Sequence, residues 1–252
     1  MSKIALITGA TAGIGEACAR LFAEQQYDLI LLARRNERLD SLAEELSTEF
    51  GVKVKTLMID VRQKEAVQKL EKLPEEWKKV DVLINNAGLS RGLDPINAGD
   101  TDDWDVMIDT NVKGLLYVTK IVSNWMIKYR SGHIINIGSI AGKETYINGN
   151  VYCATKYAVD SLNQAMRIDL LPHKIKVTGI HPGAVETEFS EVRFKGDKER
   201  AKKVYDGFEP LHAQDIAETI WFAVSRPAHV NINDMIVLPT AQANTTHILR
   251  EI

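Results

Sequence analysis

The sequence predicts an α/β fold, a Rossmann-type doubly wound parallel sheet of about seven strands with helices on both faces. Two observations carry this. Short runs of Ile, Leu and Val are apolar throughout instead of alternating, as in strands covered on both sides. Between them lie longer stretches of helical periodicity, so strand and helix alternate along the chain, and that order leads to parallel neighbours joined by right-handed crossovers.

The strands are expected at residues 4–7, 29–33, 54–59, 82–84, 133–137, 177–180 and 235–238. Leu39, Leu42, Leu46 and Phe50 recur at helical spacing, as do Leu162, Ala165, Met166 and the run from Ile168 to Leu170. No Pro/Gly/Ser-rich linker or repeat interrupts the alternation, so residues 1–252 are expected to form one domain. The least regular stretch follows Pro182. It is charged and without a clean period, and a substrate lid is expected there, over about 185–208.

Composition sets the class. With 45% hydrophobic and 26% charged residues, the chain is of ordinary globular make-up. A net charge of −3 offers no basic face, so no nucleic-acid or membrane partner is expected. The first residues go straight into a strand, and no apolar run approaches membrane length, so neither a signal peptide nor a span is expected. Cys18 and Cys153 form no C-x-x-C pair and no ligand spacing with histidine. A reducing, cytoplasmic setting and no metal are the expectations.

The first strand runs into T-G-A-T-A-G-I-G, from Thr8 to Gly15. Glycines at a strand exit and helix start let the backbone approach a pyrophosphate, and the helix N-terminus supplies free N–H groups. In an arbitrary loop these glycines would be only a tight turn. At the first strand–helix junction of an α/β chain they point to a dinucleotide, with Gly9, Thr11, Gly13, Ile14 and Gly15 as candidate cofactor contacts. The second strand ends in L-L-A-R-R, with Arg34 and Arg35 where an NAD-binding chain has an acid for the ribose. A guanidinium suits a 2′-phosphate, so NADP is the expected cofactor, with Arg34 the better candidate.

Tyr152 and Lys156 stand four apart in Y-C-A-T-K, one helical turn. A free phenol has a pKa near ~10, and an adjacent cation favours the phenolate. Tyr157 points about 100° away and has no lysine one turn on. Cys153 has no histidine base and is read as packing. Ser139 ends a strand in G-H-I-I-N-I-G-S, at the edge where open α/β sheets bind ligands.

Together with N-N-A-G at residues 85–88, Asn111 in D-T-N-V-K-G and H-P-G-A-V-E-T after the sixth strand, these motifs make the chain resemble a short-chain dehydrogenase/reductase over essentially its whole length. The resemblance implies that Tyr152 is the acid–base, that Lys156 lowers its pKa and holds the nicotinamide ribose, and that Ser139 bonds the substrate oxygen. It implies that Asn111 completes a water-linked proton relay and that Asp60, beside Val61, contacts adenine. Asn86, Ala87 and Gly88 would line the adenine ribose, and Pro182, Gly183, Val185 and Thr187 would fix the carboxamide. One position departs from the family. Many NADP users carry a basic residue just before the second glycine, where this chain has Ala12, so phosphate preference rests on Arg34 and Arg35.

The stretches E-V-R-F-K-G-D and R-P-A-H-V-N-I-N resemble the branch of NADP-dependent 3-hydroxy acid dehydrogenases, which implies serine, allo-threonine, 3-hydroxypropionate or 3-hydroxyisobutyrate as substrate. Arg193 and Lys195 in the lid are candidates to hold the carboxylate, and solvated lid charges remain the alternative. Tyr146 and Asn150 are pocket candidates by position. Reduction of other carbonyls, such as ketones, aldehydes or 3-oxoacyl thioesters, stays open, as does a non-catalytic NADPH-sensing protein. By analogy with the family a homotetramer or homodimer is expected, with the tail from Thr245 onward able to dock on a neighbouring subunit. Exchange of Arg34 for Asp is expected to weaken NADPH binding far more than NADH binding, as measured by fluorescence titration of the reduced cofactors. Equal losses would remove Arg34 from the phosphate site.

Overall fold

A computed structural model describes residues 2–251; Met1 and Ile252 lie outside the described residues. Each expected strand forms. β1 (Ile4–Thr8) leads into α1 (Gly13–Glu24), β2 (Asp28–Ala33) into α2 (Asn36–Phe50), and β3 (Val54–Met58) into the short α3 (Lys64–Val67). β4 (Val82–Asn85) is followed by α4 (Thr101–Ile108), a π-helical turn at Asp109–Gly114, and α5 (Leu115–Tyr129). β5 (His133–Ile137) precedes α6 (Asn150–Leu170) and β6 (Lys176–Pro182). The lid region holds β7 (Val185–Glu186), α7 (Phe189–Arg193) and α8 (Lys198–Lys203). β8 (Leu211–His212), α9 (Ala213–Val224) and β9 (Asp234–Val237) close the chain.

The seven long strands form one sheet in the order β3-β2-β1-β4-β5-β6-β9, every pair parallel. β7 and β8 pair separately, Val185 opposite Leu211. The uninterrupted apolar runs are explained by the two cores. From β1, Ala5 and Ile7 face one core with α1, α2 and α9, while Ile4 and Leu6 face the other with α5 and α6. Strand order reverses between β1 and β4, and this opens a crevice at their carboxyl ends.

On α2 the expected stripe holds, with Leu39, Leu42 and Leu46 buried and Phe50 packed against them. On α6 the stripe holds in part, with Leu162, Met166 and Leu170 against the core. Val159, Asn163, Met166 and Leu170 face inward, Ala165 is exposed and Ile168 is 73% exposed. The inward residues step by three or four, and the run from 168 to 170 was too short to show which of its members lay on that face. No helix of the described residues is long and apolar enough to cross a membrane.

Phe22 joins α1 to α9 and is fully buried, with its ring edge-on to Tyr27 at 5.1 Å and to Trp221 at 5.5 Å. Phe22→Ala is expected to lower stability by roughly 3–5 kcal/mol, and Tm by about 10 °C or more. A thermal melt changed by only a degree or two would mean that these helices do not depend on that ring.

Candidate active site

A cleft of about 460 Å³ runs along the carboxyl ends of the central strands, from the glycine loop at one end to Arg193 at the other. Its first wall is backbone. Gly9 and Gly13 have φ of +67° and +51°, which side-chain-bearing residues rarely adopt, and a Cβ on Gly15 would lie 2.2 Å from the Gly9 carbonyl oxygen. The N-cap of α1 is Ala12, whose side chain caps nothing, so the first N–H groups of the helix are left for a ligand in the cleft. Asn86 ties this loop to β4: its amide donates to the carbonyls of Thr8 (2.9 Å) and Gly9 (3.2 Å), and the Thr8 hydroxyl accepts from the N–H of Asn86 and of Ala87.

At the end of β2, Arg34 lines the cleft and takes part in none of the ion pairs that hold its neighbours, among the described residues. Arg35 donates to the Thr11 carbonyl (3.0 Å) and to the Glu188 carboxylate (2.8 Å), and Arg38 donates to the other oxygen of Glu188 (2.7 Å). Asp60 and Val61 also line the cleft. Burial opposes ionisation of Asp60, but the Arg62 side chain bonds both carboxylate oxygens and holds the carboxyl below its usual range. Gly88, Pro182, Gly183, Val185 and Thr187 also line the cleft. An uncapped helix start, glycines that admit close approach and a partnerless guanidinium fit a dinucleotide with a 2′-phosphate.

The chemical end is built from β5, α6 and the π-helical turn. Ser139 leaves β5 in extended backbone, and its Oγ accepts from the Ala141 N–H at 3.1 Å. Tyr152 and Lys156 share one face of α6 and are buried. The Lys156 Nζ donates to the Ile137 carbonyl at 2.9 Å. Backbone meets backbone here, since a Cβ on Gly142 would lie 2.5 Å from the Lys156 carbonyl oxygen. Asn111 sits in the π turn, a distortion often found at functional sites. It lies behind the cleft wall, with its Oδ1 accepting from the Leu89 N–H and its Nδ2 donating to the Leu89 carbonyl and the Thr155 hydroxyl. A Cβ on Gly88 would have the Asn111 Oδ1 at 3.3 Å and the Lys156 Nζ at 3.6 Å, so the asparagine and lysine face each other across that glycine.

The titrations differ from expectation. Burial pushes the Tyr152 phenol above its usual value; Arg193 and then the hydrogen bond with Ser139 oppose it, and Lys156 is not among the opposing groups. The lysine is itself pushed down to about 8 by burial. At a pKa near that value the ammonium is only partly present in mild alkali, and its Nζ is turned to Ile137. Two cations stand by the phenol ring: the Lys156 Nζ is 5.9 Å from the Tyr152 ring centre, and the Arg193 guanidinium is 5.1 Å from the ring centres of both Tyr152 and Phe189 and donates to the Tyr146 hydroxyl at 2.8 Å.

Of the substrate candidates, Tyr146, Ser139 and Arg193 meet in the cleft. Lys195 does not: it is half exposed and pairs with Asp103 (2.8 Å) and Asp100 (3.2 Å). Asn150 starts α6 outside the main cleft, where its amide donates to the Asp94 carbonyl. Cys153 is buried with its thiol pushed up by burial, as expected of packing. Tyr157 is 42% exposed and donates to the Lys143 carbonyl. The tail packs within its own chain: Arg250 donates to the Val204 carbonyl at 3.0 Å and the Glu251 N–H to the Gly207 carbonyl at 2.7 Å. A separate group, Asp160, His181 and Asp234, brings ligand-type atoms together, but the Lys143 ammonium lies 2.7 Å from Asp160 and supplies the positive charge there. Arg38 and Glu188 were missed. Arg38 follows Arg34 and Arg35 at four and three residues, a helical spacing that could have found it. Nothing local points to Glu188, which is 150 residues from Arg38.

The sequence model of a family described as short chain dehydrogenase matches residues 3–198. The chain is 47% identical over 242 residues to the NADP-dependent 3-hydroxy acid dehydrogenase YdfG of Salmonella typhi, covering 95% of this chain and 96% of that protein. It is 46% identical to sulfoacetaldehyde reductase 2 of Chromohalobacter salexigens, covering 96% of each. Among solved structures, the closed form of serine dehydrogenase complexed with NADP⁺ matches with a TM-score of 0.91 and 43% identity, over 99% of this chain and 100% of that one.

The folded-state pKa of Lys156 lies below its ordinary value of 10.5, at about 8. Below pH 8 the buried ammonium therefore opposes folding by roughly 3 kcal/mol, and that penalty is relieved as pH rises from 8 to 10.5. Lys156→Met removes it but leaves the Ile137 carbonyl unbonded, at about 1 kcal/mol. The variant is expected to melt a few degrees higher than the native protein at pH 7 without cofactor, with the gap closing above pH 10. A lower melting temperature at pH 7 would show that the ammonium is well solvated.

Proposed function

Because the chain belongs to the short chain dehydrogenase family, we propose that it moves a hydride between NADP(H) and a small 3-hydroxy acid. NADP(H) supplies the hydride chemistry when bound; the chain supplies orientation, charge and proton transfer. The glycine loop and the start of α1 would hold the pyrophosphate, Arg34 with Arg35 the 2′-phosphate, and Asp60 and Val61 the adenine. Asn86, Ala87 and Gly88 would follow the ribose, and Pro182, Gly183, Val185 and Thr187 the nicotinamide.

In the oxidative direction the substrate hydroxyl lies between the Ser139 Oγ and the Tyr152 phenol. Tyr152 takes the hydroxyl proton as the C–H bond of that carbon releases its hydride, and returns a proton in the reverse reaction. Ser139 stabilises the negative charge that develops on the oxygen. Lys156, facing Asn111 across Gly88, carries the proton onward from the buried phenol, and its own depressed pKa suits that exchange.

The observation that carries the substrate reading is Arg193. Its Nε is buried without a partner, and its guanidinium is enclosed by the rings of Tyr146, Tyr152 and Phe189. A half-buried guanidinium in an aromatic wall next to the acid–base suits a carboxylate two carbons from the reacting carbon. A sulfonate would meet the same donors. We extend the reading to the whole chain, residues 1–252, as one catalytic domain with its lid over about 185–208. The free, buried Cys18 and Cys153 support a reducing cytoplasmic setting. The exposed Ile168 and Leu171 after the inward face of α6, with Phe222 on α9 and Ile236 on β9, support a homotetramer or homodimer.

The test is NADP⁺ reduction with serine, allo-threonine, 3-hydroxybutyrate, 3-hydroxyisobutyrate and neutral secondary alcohols. For Arg193→Ala, kcat/KM on the acids is expected to fall about 100-fold, the loss of a charge-assisted pair. Neutral alcohols should fall less, and their pH profile should move to higher pH because Arg193 no longer holds the Tyr152 pKa down. Equal losses on acids and neutral alcohols would rule out the clamp.

A further inference from the structure

Glu188 opens the lid segment, yet its carboxylate spans to the far wall of the cleft. One oxygen accepts from Arg35 at 2.8 Å and the other from Arg38 at 2.7 Å. Arg35 is at the same time bonded to Thr11 of the glycine loop, through both the carbonyl and the hydroxyl. The two guanidiniums are thus drawn to one anionic group at the mouth of the adenosine end. The arrangement favours the charged carboxylate, which Arg38 first and then Arg35 hold below its ordinary range.

A carboxylate and a phosphate monoester present the same face to a pair of guanidiniums: oxygens that accept parallel N–H bonds. We propose that Glu188 is an internal competitor of the 2′-phosphate, a carboxylate that occupies Arg35 and Arg38 until the phosphate takes its place and so moderates the affinity for a phosphorylated dinucleotide. This rests on the NADP reading of the site and adds to it a residue outside the β2 end. A dinucleotide with a 2′-phosphate must displace the carboxylate, and the more highly charged phosphate wins that exchange. One without it leaves the carboxylate seated and the arginines occupied. Glu188 and its partners are about half exposed, so each pair is of modest strength and is screened by salt.

The measurement is binding, not turnover. Dissociation constants of NADPH and NADH are taken by fluorescence titration, and of 2′-AMP and 5′-AMP by calorimetry, for the native protein and for Glu188→Gln, at low and high salt. Removing the competing charge is expected to tighten NADPH and 2′-AMP about two- to tenfold, to leave NADH and 5′-AMP within experimental error, and to lose most of that gain at high salt. Glu188→Ala, which also removes the amide's bonding capacity, should behave in the same direction. Weaker or unchanged NADPH binding in both variants overturns the proposal, as does an equal gain for NADH. The native protein's preference for NADPH over NADH tests the NADP reading separately, since the arginines create that preference and Glu188 only reduces it.

Discussion

The site depends on one close approach, that of the short segment after Ser139 to the backbone of α6. Gly142 lies so near the Lys156 carbonyl that no side chain fits between them. This single contact sets the distance from the serine at the end of β5 to the tyrosine and lysine on the helix. Much of the fold serves to hold these two partners. β5 and β6 are in register from His133 opposite Lys176 to Ile137 opposite Ile180, which fixes where Ser139 and Pro182 leave the sheet. Inward-facing Val159, Met166 and Leu170 press α6 onto the same sheet from below. Polar groups do similar work inside: Asn136 on β5 donates to Asn163 on α6 at 2.9 Å, with both residues wholly buried. A satisfied polar contact in the core admits one alignment of helix and strand, where an apolar one admits several.

Burial has opposite uses at the two ends of the cleft. Around Tyr152 it raises the phenol and lowers the lysine, so the two groups are moved apart in acidity and the lysine becomes the stronger acid of the two. Arg193 adds positive potential from the lid side, which couples the acid–base to a residue that would also hold the substrate. Around Arg34, Arg35 and Arg38 the groups are exposed and fully charged, and selectivity comes from geometry and number of donors. The first arrangement tunes proton transfer and the second recognises a charge.

The fold was legible because β-strands buried on both faces leave an unmistakable run of branched apolar residues, as at Leu29 to Ala33, and because the runs alternate with helical stripes such as Leu39, Leu42 and Leu46. On α6 Leu162, Met166 and Leu170 pack inward as the stripe predicts, while Ala165 and Ile168 point to solvent, since an apolar residue alone does not mark the buried face. Residues tied to a local spacing were also legible: the glycines at a strand exit, Tyr152 with Lys156 at one turn. What could not be read is what only the closed chain brings together. Lys195 and Arg193 looked equivalent in sequence, but Arg193 ends α7 against the aromatic wall, whereas Lys195, past the helix in left-handed backbone, turns to Asp100 and Asp103. The bond from the Lys156 Nζ to the Ile137 carbonyl is likewise set by the closed fold, and spacing alone does not determine it.

Thr187, Glu188 and Phe189 are consecutive, yet each touches a different part of the machinery. The Thr187 methyl closes on Gly13 of the glycine loop, Glu188 holds Arg35 and Arg38, and the Phe189 ring lies 5.6 Å from that of Tyr152. Chain length at this point is therefore rigidly constrained: inserting or deleting one residue would shift all three contacts at once. A few residues further on, around the left-handed Lys195 and Gly196, nothing lies within reach of an added Cβ on the glycine. Divergence in this protein's lineage should accordingly take the form of side-chain exchange at 187–189 and of length change beyond 195, so that new substrates can be acquired without disturbing the cofactor.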